Sequence, residues 1–310
     1  MINTITLNPA IDEILYLDRF VRNITNRIAS KAVTMGGKGT HVSLNLQAMG
    51  TTSRAFGFAF GKNGERIVEM LRESGVSAEF VSSDSGESRV NLLLVETATR
   101  DATLVAEKGP SPTPEMLAQF RARLREKIEP GDLLALSGDA SNFADPCIYN
   151  HIIEMLEGRS VRVFLDASGE SLKRGIAQGP FLVKPNRDEL SALMGAEIRT
   201  EREVVAAIGR LDRYGIEVVV VSMGREGSIV RADGRLLKVK APEVEVYNAV
   251  GCGDCLVAGL LAGYKKGMET EAILRYATAC SAACAESPLS VGFDAARAKE
   301  LEQRVEIRRI

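Results

Sequence analysis

Short apolar runs rich in β-branched residues alternate with amphipathic stretches along most of the chain. Several runs are apolar at nearly every position, as strands buried on both faces of a sheet must be. Predicted strands span residues 2–7, 55–60, 133–136, 161–166, 181–184 and 218–222. Predicted helices between them span residues 41–49, 64–74, 115–127, 146–157, 187–193 and 202–214. This alternation of strand and helix predicts a parallel, doubly wound sheet with helices on both faces.

Two segments break the alternation. Residues 14–33 and 89–105 have the pattern of strands with no helix between neighbouring strands. They predict an antiparallel patch, which would form a small lid on the main sheet. Helical patterns end the chain at residues 254–265, 269–285 and 294–303. There is no internal repeat and no low-complexity tract.

Charge and composition exclude several classes of function. The 310 residues include 39 Lys plus Arg and 41 Asp plus Glu, so no sequence-wide basic surface exists to attract nucleic acid or anionic lipid. No apolar run reaches the roughly 18 residues of a membrane span, and no signal peptide is recognisable. The five cysteines do not indicate a disulfide framework, and two histidines nearly exclude a multi-histidine metal centre. We therefore expect a soluble, cytoplasmic protein with neither nucleic-acid nor membrane partners.

Two glycine-rich turns precede predicted helices. Gly36-Gly37-Lys38-Gly39 leads into the first helix, and Gly251-Cys252-Gly253 is followed directly by Asp254. Glycines at a helix start let backbone N–H groups approach an anion, which the positive end of the helix also favours. Such turns are common for packing reasons alone, but two of them beside a lysine and an aspartate indicate a phosphate site. For Asp254 the spacing leaves two roles open, a general base for phosphoryl transfer and a helix N-cap.

The better-known nucleotide motifs are absent, and other segments supply the candidates. Residues 57–63 lack the spacing of a P-loop, and no Gly-x-Gly-x-x-Gly follows the first strand. Residues 184–189 and 222–227 each follow a strand, where open α/β sheets bind ligands. Glu189 could hold magnesium and Asn186 a phosphate or the same waters, although an ordinary helix start and a tight turn are the simpler interpretation of these segments taken alone. The thiols in 252–284 are interpreted as small core residues rather than a zinc site.

Five motifs resemble the ribokinase family of sugar kinases, specifically its PfkB branch. They are TLNPAID at 6–12, GGKG at 36–39, KPNRDE at 184–189, SMGREG at 222–227 and GCGD at 251–254. TLNPAID and residues 26–27, 89–91 and 165–172 are most similar to the phosphosugar kinases of that branch. The resemblance implies an α/β ribokinase-like fold, a doubly wound, mostly parallel sheet in a three-layer αβα sandwich with a small β-sheet lid. It implies one kinase domain over 1–310, with lid segments at about 12–34 and 86–106.

The resemblance also implies roles for individual residues. Asp254 would be the catalytic base, beside an anion hole formed by the N–H groups of Gly251, Cys252 and Gly253. The sugar phosphate would be bound by Asp12, Arg27, Gly37, Lys38, His41 and Arg89. ATP would be bound by Lys184, Asn186, Glu189, Ser222, Gly224 and Gly227. Glu189 and Asn186 would hold Mg²⁺ through water.

The implied activity is phosphorylation of fructose 1-phosphate at its 6-hydroxyl by Mg-ATP, in a homodimer paired through the lid. Tagatose 6-phosphate is the first alternative substrate, followed by an unphosphorylated sugar or a nucleoside. A non-catalytic sugar or nucleotide sensor is the alternative from another class. Three residues depart from the family pattern: His41 replaces the usual Asn, Asp139 lies in a loop that usually reads Gly-Ser-(Leu/Ile)-Pro, and Cys252 replaces a small residue. The first two bear on the choice of sugar.

Overall fold

A ten-stranded sheet forms the centre of the molecule in a computed structural model that describes residues 1–99, 101–138 and 140–310. Its strands are β1 (Ile2–Thr6), β4 (Ser53–Phe60), β5 (Ser77–Ser83), β8 (Leu133–Ser137), β9 (Arg162–Asp166), β10 (Leu182–Val183), β11 (Val218–Ser222), β12 (Ser228–Ala232), β13 (Arg235–Lys240) and β14 (Glu306–Arg309). Across the sheet they lie in the order β14-β13-β12-β11-β10-β9-β8-β1-β4-β5. In this order the strands from β5 to β11 run parallel, and β12, β13 and β14 are added antiparallel at the other edge.

Helices cover both faces of this sheet. Side chains alternate between the faces of a strand, and along β8 Leu134 and Leu136 join one buried cluster while Leu133 and Ala135 join the other. The helices are α1 (Lys38–Ala48), α2 (Gly61–Glu73), α3 (Pro114–Lys127), α4 (Ile148–Met155), α5 (Gly169–Gly175), α6 (Arg187–Met194), α7 (Glu201–Arg210), α8 (Cys252–Lys265), α9 (Thr270–Ala285) and α10 (Ala295–Glu302). The cluster that includes Leu134 contains residues of α3 to α7, and the cluster that includes Leu133 contains residues of α1, α8, α9 and α10. The predicted three-layer α/β fold is confirmed.

A separate four-stranded sheet has the order β3-β2-β6-β7. Its strands are β2 (Ala10–Leu17), β3 (Ser30–Gly36), β6 (Arg89–Glu96) and β7 (Ala102–Ala106). The outer pairs are antiparallel, but the central pair of β2 and β6 is parallel, so the prediction of an antiparallel patch is wrong at its centre. The physical reason is the connection: α1, β4, α2 and β5 lie between the two hairpins in sequence, so β6 returns in the same direction as β2.

No helix within residues 1–99, 101–138 and 140–310 is both long and apolar enough to cross a bilayer.

Candidate active site

The charged candidate residues meet at the carboxyl ends of the parallel strands. Asp166 is the last residue of β9, and Lys184 directly follows β10. Lys184 Nζ lies 3.1 Å from Asp166 Oδ1, and both side chains are nearly inaccessible to solvent. A Cβ built on Gly253 would lie 3.6 Å from Lys184 Nζ, so this ion pair adjoins the start of α8. Residues from distant parts of the sequence thus form one cluster at the edge where open α/β sheets bind ligands.

The start of α8 depends on a glycine. Gly251 is the N-cap residue with φ +86°, and a Cβ at this position would lie 1.8 Å from the carbonyl oxygen of Ser290. The N–H groups of a helix's first turn lack intrahelical acceptors, and the Cys252 N–H reaches the Ala249 carbonyl only at 3.4 Å. The residues predicted to form an anion hole therefore direct N–H groups from a helix N-terminus, the arrangement that favours a bound phosphate.

Asp254 does not cap this helix. Gly251 occupies the N-cap position, and Asp254 lies inside the first turn, 6% exposed. Its Oδ2 lies 2.7 Å from Nδ1 of His41 on α1. Of the two roles left open by the spacing, the structure therefore excludes the N-cap and leaves a buried carboxylate beside the helix N-terminus.

His41 connects Asp254 with Asp12. Its Nε2 lies 2.8 Å from the Met35 carbonyl oxygen and 3.8 Å from Asp12 Oδ2. Asn91 on β6 donates to Asp12 Oδ1 at 2.8 Å, which fixes this carboxylate from the small sheet. Burial disfavours the charged imidazole, but the hydrogen bond to Asp254, its charge and that of Asp12 raise the pKa of His41 to about 9. Sequence reasoning assigned His41 to the sugar and did not predict its contact with Asp254.

Lys38 extends the cluster from the first turn of α1. Its Nζ lies 3.3 Å from Asp166 Oδ1 and 3.5 Å from Glu189 Oε1. Burial opposes the ammonium form, but the charges of Asp166, Asp254 and Glu189 outweigh it and raise the pKa of Lys38. Burial likewise opposes ionisation of Asp166, whereas Lys184 and Lys38 lower its pKa. Asp166 was absent from the predicted site, although a charged residue ending an apolar strand was a usable signal.

The Asn186 segment combines a structural and a potential binding role. Asn186 Oδ1 accepts from the Glu189 N–H at 2.8 Å, and Glu189 Oε2 accepts from the Asn186 N–H at 2.9 Å, a reciprocal cap on α6. The ordinary helix start considered from the sequence is therefore present. Glu189 Oε1 points to Lys38 instead, and Asn186 also pairs with Ser222 in an isolated parallel bridge. This bridge brings 184–189 and 222–227, which contains Gly224 and Gly227, to one edge of the sheet.

The oxygen atoms present fit a hard cation. Among the described residues, the buried Asp166 Oδ2 has no hydrogen-bond partner, and Glu189 Oε1 makes a long contact with Lys38. Mg²⁺ takes one or two carboxylates and fills its remaining positions with water and substrate phosphates. Within residues 1–99, 101–138 and 140–310, no group of three or more potential ligands could hold a metal by itself. The arrangement therefore suits a metal that arrives with a phosphate substrate.

The remaining predicted sugar ligands lie toward the small sheet. Gly37 is the N-cap of α1 with φ +103°. Arg89 begins β6, and its guanidinium donates to the carbonyls of Asn8 at 3.1 Å and Glu107 at 3.2 Å. Arg27 is exposed in the loop between β2 and β3. Asp139 lies outside the described residues.

Comparisons with known proteins agree with this fold. Residues 5–292 match the pfkB family of carbohydrate kinases. The 1-phosphofructokinase of Bacillus subtilis (strain 168) is 33% identical over 287 residues, which cover 93% of each chain. A tagatose-6-phosphate kinase of Staphylococcus epidermidis is 30% identical over 282 residues, 90% of each chain. The crystal structure of phosphofructokinase-2 from Escherichia coli shares the fold with a TM-score of 0.90 over 98% of each chain, at 24% identity. The resemblance read from the five motifs is thereby confirmed: the chain belongs to the pfkB family of carbohydrate kinases, which are sugar phosphotransferases.

Proposed function

We propose that this protein transfers the γ-phosphate of ATP to the 6-hydroxyl of fructose 1-phosphate. The observation that carries the proposal is the buried Asp254 beside N–H groups of 251–253 at the start of α8. The named activity of the 33% identical relative supports the choice of sugar. Tagatose 6-phosphate is the second candidate, since a 30% identical relative is named for it.

In the proposed reaction, the oxygen of the sugar hydroxyl attacks the γ-phosphorus and ADP leaves. Asp254 accepts the proton of that hydroxyl. Phosphoryl transfer requires mainly positioning and charge stabilisation from the protein. The N–H groups of Gly251, Cys252 and Gly253 stabilise the negative charge on the transferred group, and removing one such donor typically costs about 10²–10³ in rate. Lys184 lies next to Gly253 and adds a positive charge there.

ATP and its metal occupy the edge formed by residues 184–189 and 222–227 in this proposal. Lys184, Asn186, Ser222, Gly224 and Gly227 contact the nucleotide. Asn186 and Glu189 would hold Mg²⁺ through water, and Asp166 Oδ2 would be a further acceptor for that water. When bound, Mg²⁺ supplies charge neutralisation on the phosphates.

The sugar phosphate lies between α1 and the small sheet. Asp12, held by Asn91, accepts its hydroxyls, and Gly37 and Lys38 line the pocket. Arg89 and Arg27 bind the phosphate already on the sugar, because a guanidinium grips a phosphate with two parallel hydrogen bonds. Arg89 donates to the carbonyls of Asn8 and Glu107 at the start of β6, and in this proposal the small sheet moves as a lid when the sugar phosphate binds. Closure of this lid would exclude water and limit ATP hydrolysis.

The small sheet is also the proposed homodimer contact. Its strand β7 exposes Leu104 and Val105, and the loop that joins β2 to β3 exposes Phe20, Ile24 and Ile28. A second copy of the chain would bury them, and light scattering after size exclusion would report a dimer. A cytoplasmic location, in which the five thiols would stay reduced, is part of the same proposal.

A substrate panel tests the proposed activity. ADP release from Mg-ATP is measured with fructose 1-phosphate, fructose 6-phosphate, tagatose 6-phosphate, fructose, ribose and a nucleoside. Asp254→Asn is the control, expected to keep ATP affinity within several-fold and to lose orders of magnitude in rate. Turnover on fructose 1-phosphate that disappears in this variant is the expected result. Turnover only on unphosphorylated compounds contradicts the proposed binding of the sugar's phosphate by Arg27 and Arg89. No turnover on any compound, with ATP binding retained, favours a non-catalytic sensor.

A further inference from the structure

The ring of His41 is buried among groups that accept hydrogen bonds. Only 4% of the residue is exposed, and its α1 helix places it between β2, the end of β3 and the first turn of α8. Nδ1 lies 2.7 Å from Asp254 Oδ2, and Nε2 lies 2.8 Å from the Met35 carbonyl oxygen. Both distances are those of good hydrogen bonds.

The two partners determine the protonation state of the ring. A backbone carbonyl oxygen can only accept, and so can an ionised carboxylate, so both ring nitrogens must carry a proton to make both bonds. A neutral imidazole has one N–H and would leave one buried nitrogen lone pair facing an oxygen lone pair. An unsatisfied buried pair of this kind is costly. The geometry therefore favours the imidazolium cation.

The surrounding charges favour the same state. Asp254 on α8 and Asp12 on β2 both face the ring. Lys38, on the same helix, is also near Asp254 and partly offsets its charge. The thiol of Cys284 on α9 also interacts with the charge of the ring. Hydrogen bonds from Cys252 and Cys255 on α8 lower the pKa of this thiol, burial raises it, and the positive charge of His41 lowers it further. Despite burial, the hydrogen bond to Asp254 and the two carboxylates raise the pKa of His41 to about 9.

We propose that His41 is a positioning residue whose imidazolium holds one oxygen of Asp254 and presents the other to the sugar hydroxyl. The same positive charge neutralises a carboxylate that would otherwise repel the incoming phosphate. His41 then acts through Asp254 and Asp12 and is not itself a ligand of the sugar, since its nitrogens already have protein partners. This inference deepens the proposed function and rests on the role of Asp254 as the base.

Kinetics of His41→Asn separate positioning from sugar binding. The asparagine amide can still donate hydrogen bonds but carries no charge, so kcat is expected to fall about ten- to a hundredfold, the range of a lost charged hydrogen bond. The KM values for sugar and ATP stay within about threefold. The wild-type kcat declines as pH rises through about 9, when His41 loses its proton, and the variant lacks this alkaline limb. A raised KM for the sugar with kcat retained would make His41 a sugar ligand and overturn the proposal.

Nuclear magnetic resonance tests the ion pair independently of turnover. The chain has only two histidines, so His151→Gln leaves the ¹⁵N-labelled ring of His41 as the single imidazole signal. His151 is exposed and contacts Asp145 rather than the active site. At pH 7.5 both ring nitrogens should show the shifts of protonated nitrogen, and Asp254→Asn should lower the titration midpoint by at least about one pH unit. A neutral ring at pH 7.5, or a midpoint unchanged in Asp254→Asn, refutes the inference. An intact ion pair in a protein without kinase activity refutes the proposed function, and with it the positioning role.

Discussion

Gly251→Ala tests the start of α8, where the proposed transition state is bound. The new methyl group would lie 1.8 Å from the Ser290 carbonyl oxygen, so the two must separate by about 1.5 Å to reach ordinary contact. The left-handed backbone at φ +86° adds about 1–2 kcal/mol for a residue with a Cβ. Overpacking adds about 1–3 kcal/mol. Because a displacement of about 1 Å can cost a hundredfold in rate, we expect kcat to fall at least that far, with a stability loss of about 3 kcal/mol.

The other end of α8 offers a matched control. Gly267 also has a positive φ, +65°, but a Cβ there would meet nothing within 4 Å. Gly267→Ala should therefore lose only about 1 kcal/mol, from backbone strain, and keep its kcat. Thermal midpoints and ADP release are measured for both variants. If Gly251→Ala has the same thermal midpoint and the same kcat as Gly267→Ala, then the close approach of position 251 to Ser290 does not constrain the start of α8.

Two further substitutions test the sugar phosphate site and the anion hole. Arg89→Ala should raise the KM for the sugar phosphate far more than the KM for ATP, because the guanidinium is proposed to bind the phosphate of the sugar. Steady-state kinetics with each substrate varied measure both values, and equal effects on the two KM values would mean that the arginine is structural. Cys252→Ala should keep kcat within about threefold, because only the backbone N–H of this residue acts in the anion hole; a loss of more than tenfold would assign the thiol a role of its own.

The sheet and most of its helices could be predicted from the hydrophobic pattern. The parallel strands are buried on both faces and therefore read as apolar runs, and the bounds of β11, Val218–Ser222, agree with the prediction. The strands β5, β12, β13 and β14 were missed because polar and charged residues interrupt them at the sheet margins. The Asp233-Gly234 turn between β12 and β13 was a usable hairpin signal, since both residues adopt positive φ.

The site was predictable in its motifs but not in its contacts. The Gly-x-Gly-Asp turn and the lysine after β10 are local patterns, and the resemblance supplied their roles. The contact of His41 with Asp254 joins residues 213 positions apart and follows from how α1 packs against α8, which no local pattern encodes. Asp166 does end an apolar strand, but its ion pairs with Lys38 on α1 and with Lys184 after β10 are long-range contacts that no local pattern encodes.

The ion pairs of Asp166 and of His41 give the folding stability opposite dependences on pH. The pKa of Asp166 is lower in the folded protein than its unfolded value of about 4, so the stabilisation by its ion pairs is present above that pH and is lost as pH falls. His41 has a folded pKa of about 9 against 6.5 unfolded, so its contribution is full below pH 6.5 and is lost as pH rises through about 9.

The stability of the native protein should therefore be highest between about pH 4 and 6.5 as far as these two groups determine it. The His41 limb corresponds to about 3 kcal/mol and about 5 °C in the thermal midpoint. Asp166→Asn breaks a buried pair, at a cost of about 3–5 kcal/mol, and should flatten the acid limb, whereas His41→Asn should flatten the alkaline limb. Thermal midpoints between pH 3 and 10 measure both limbs. If either variant keeps the limb assigned to its residue, then other groups set that pH dependence, and the corresponding pair does not couple the charge of this site to folding.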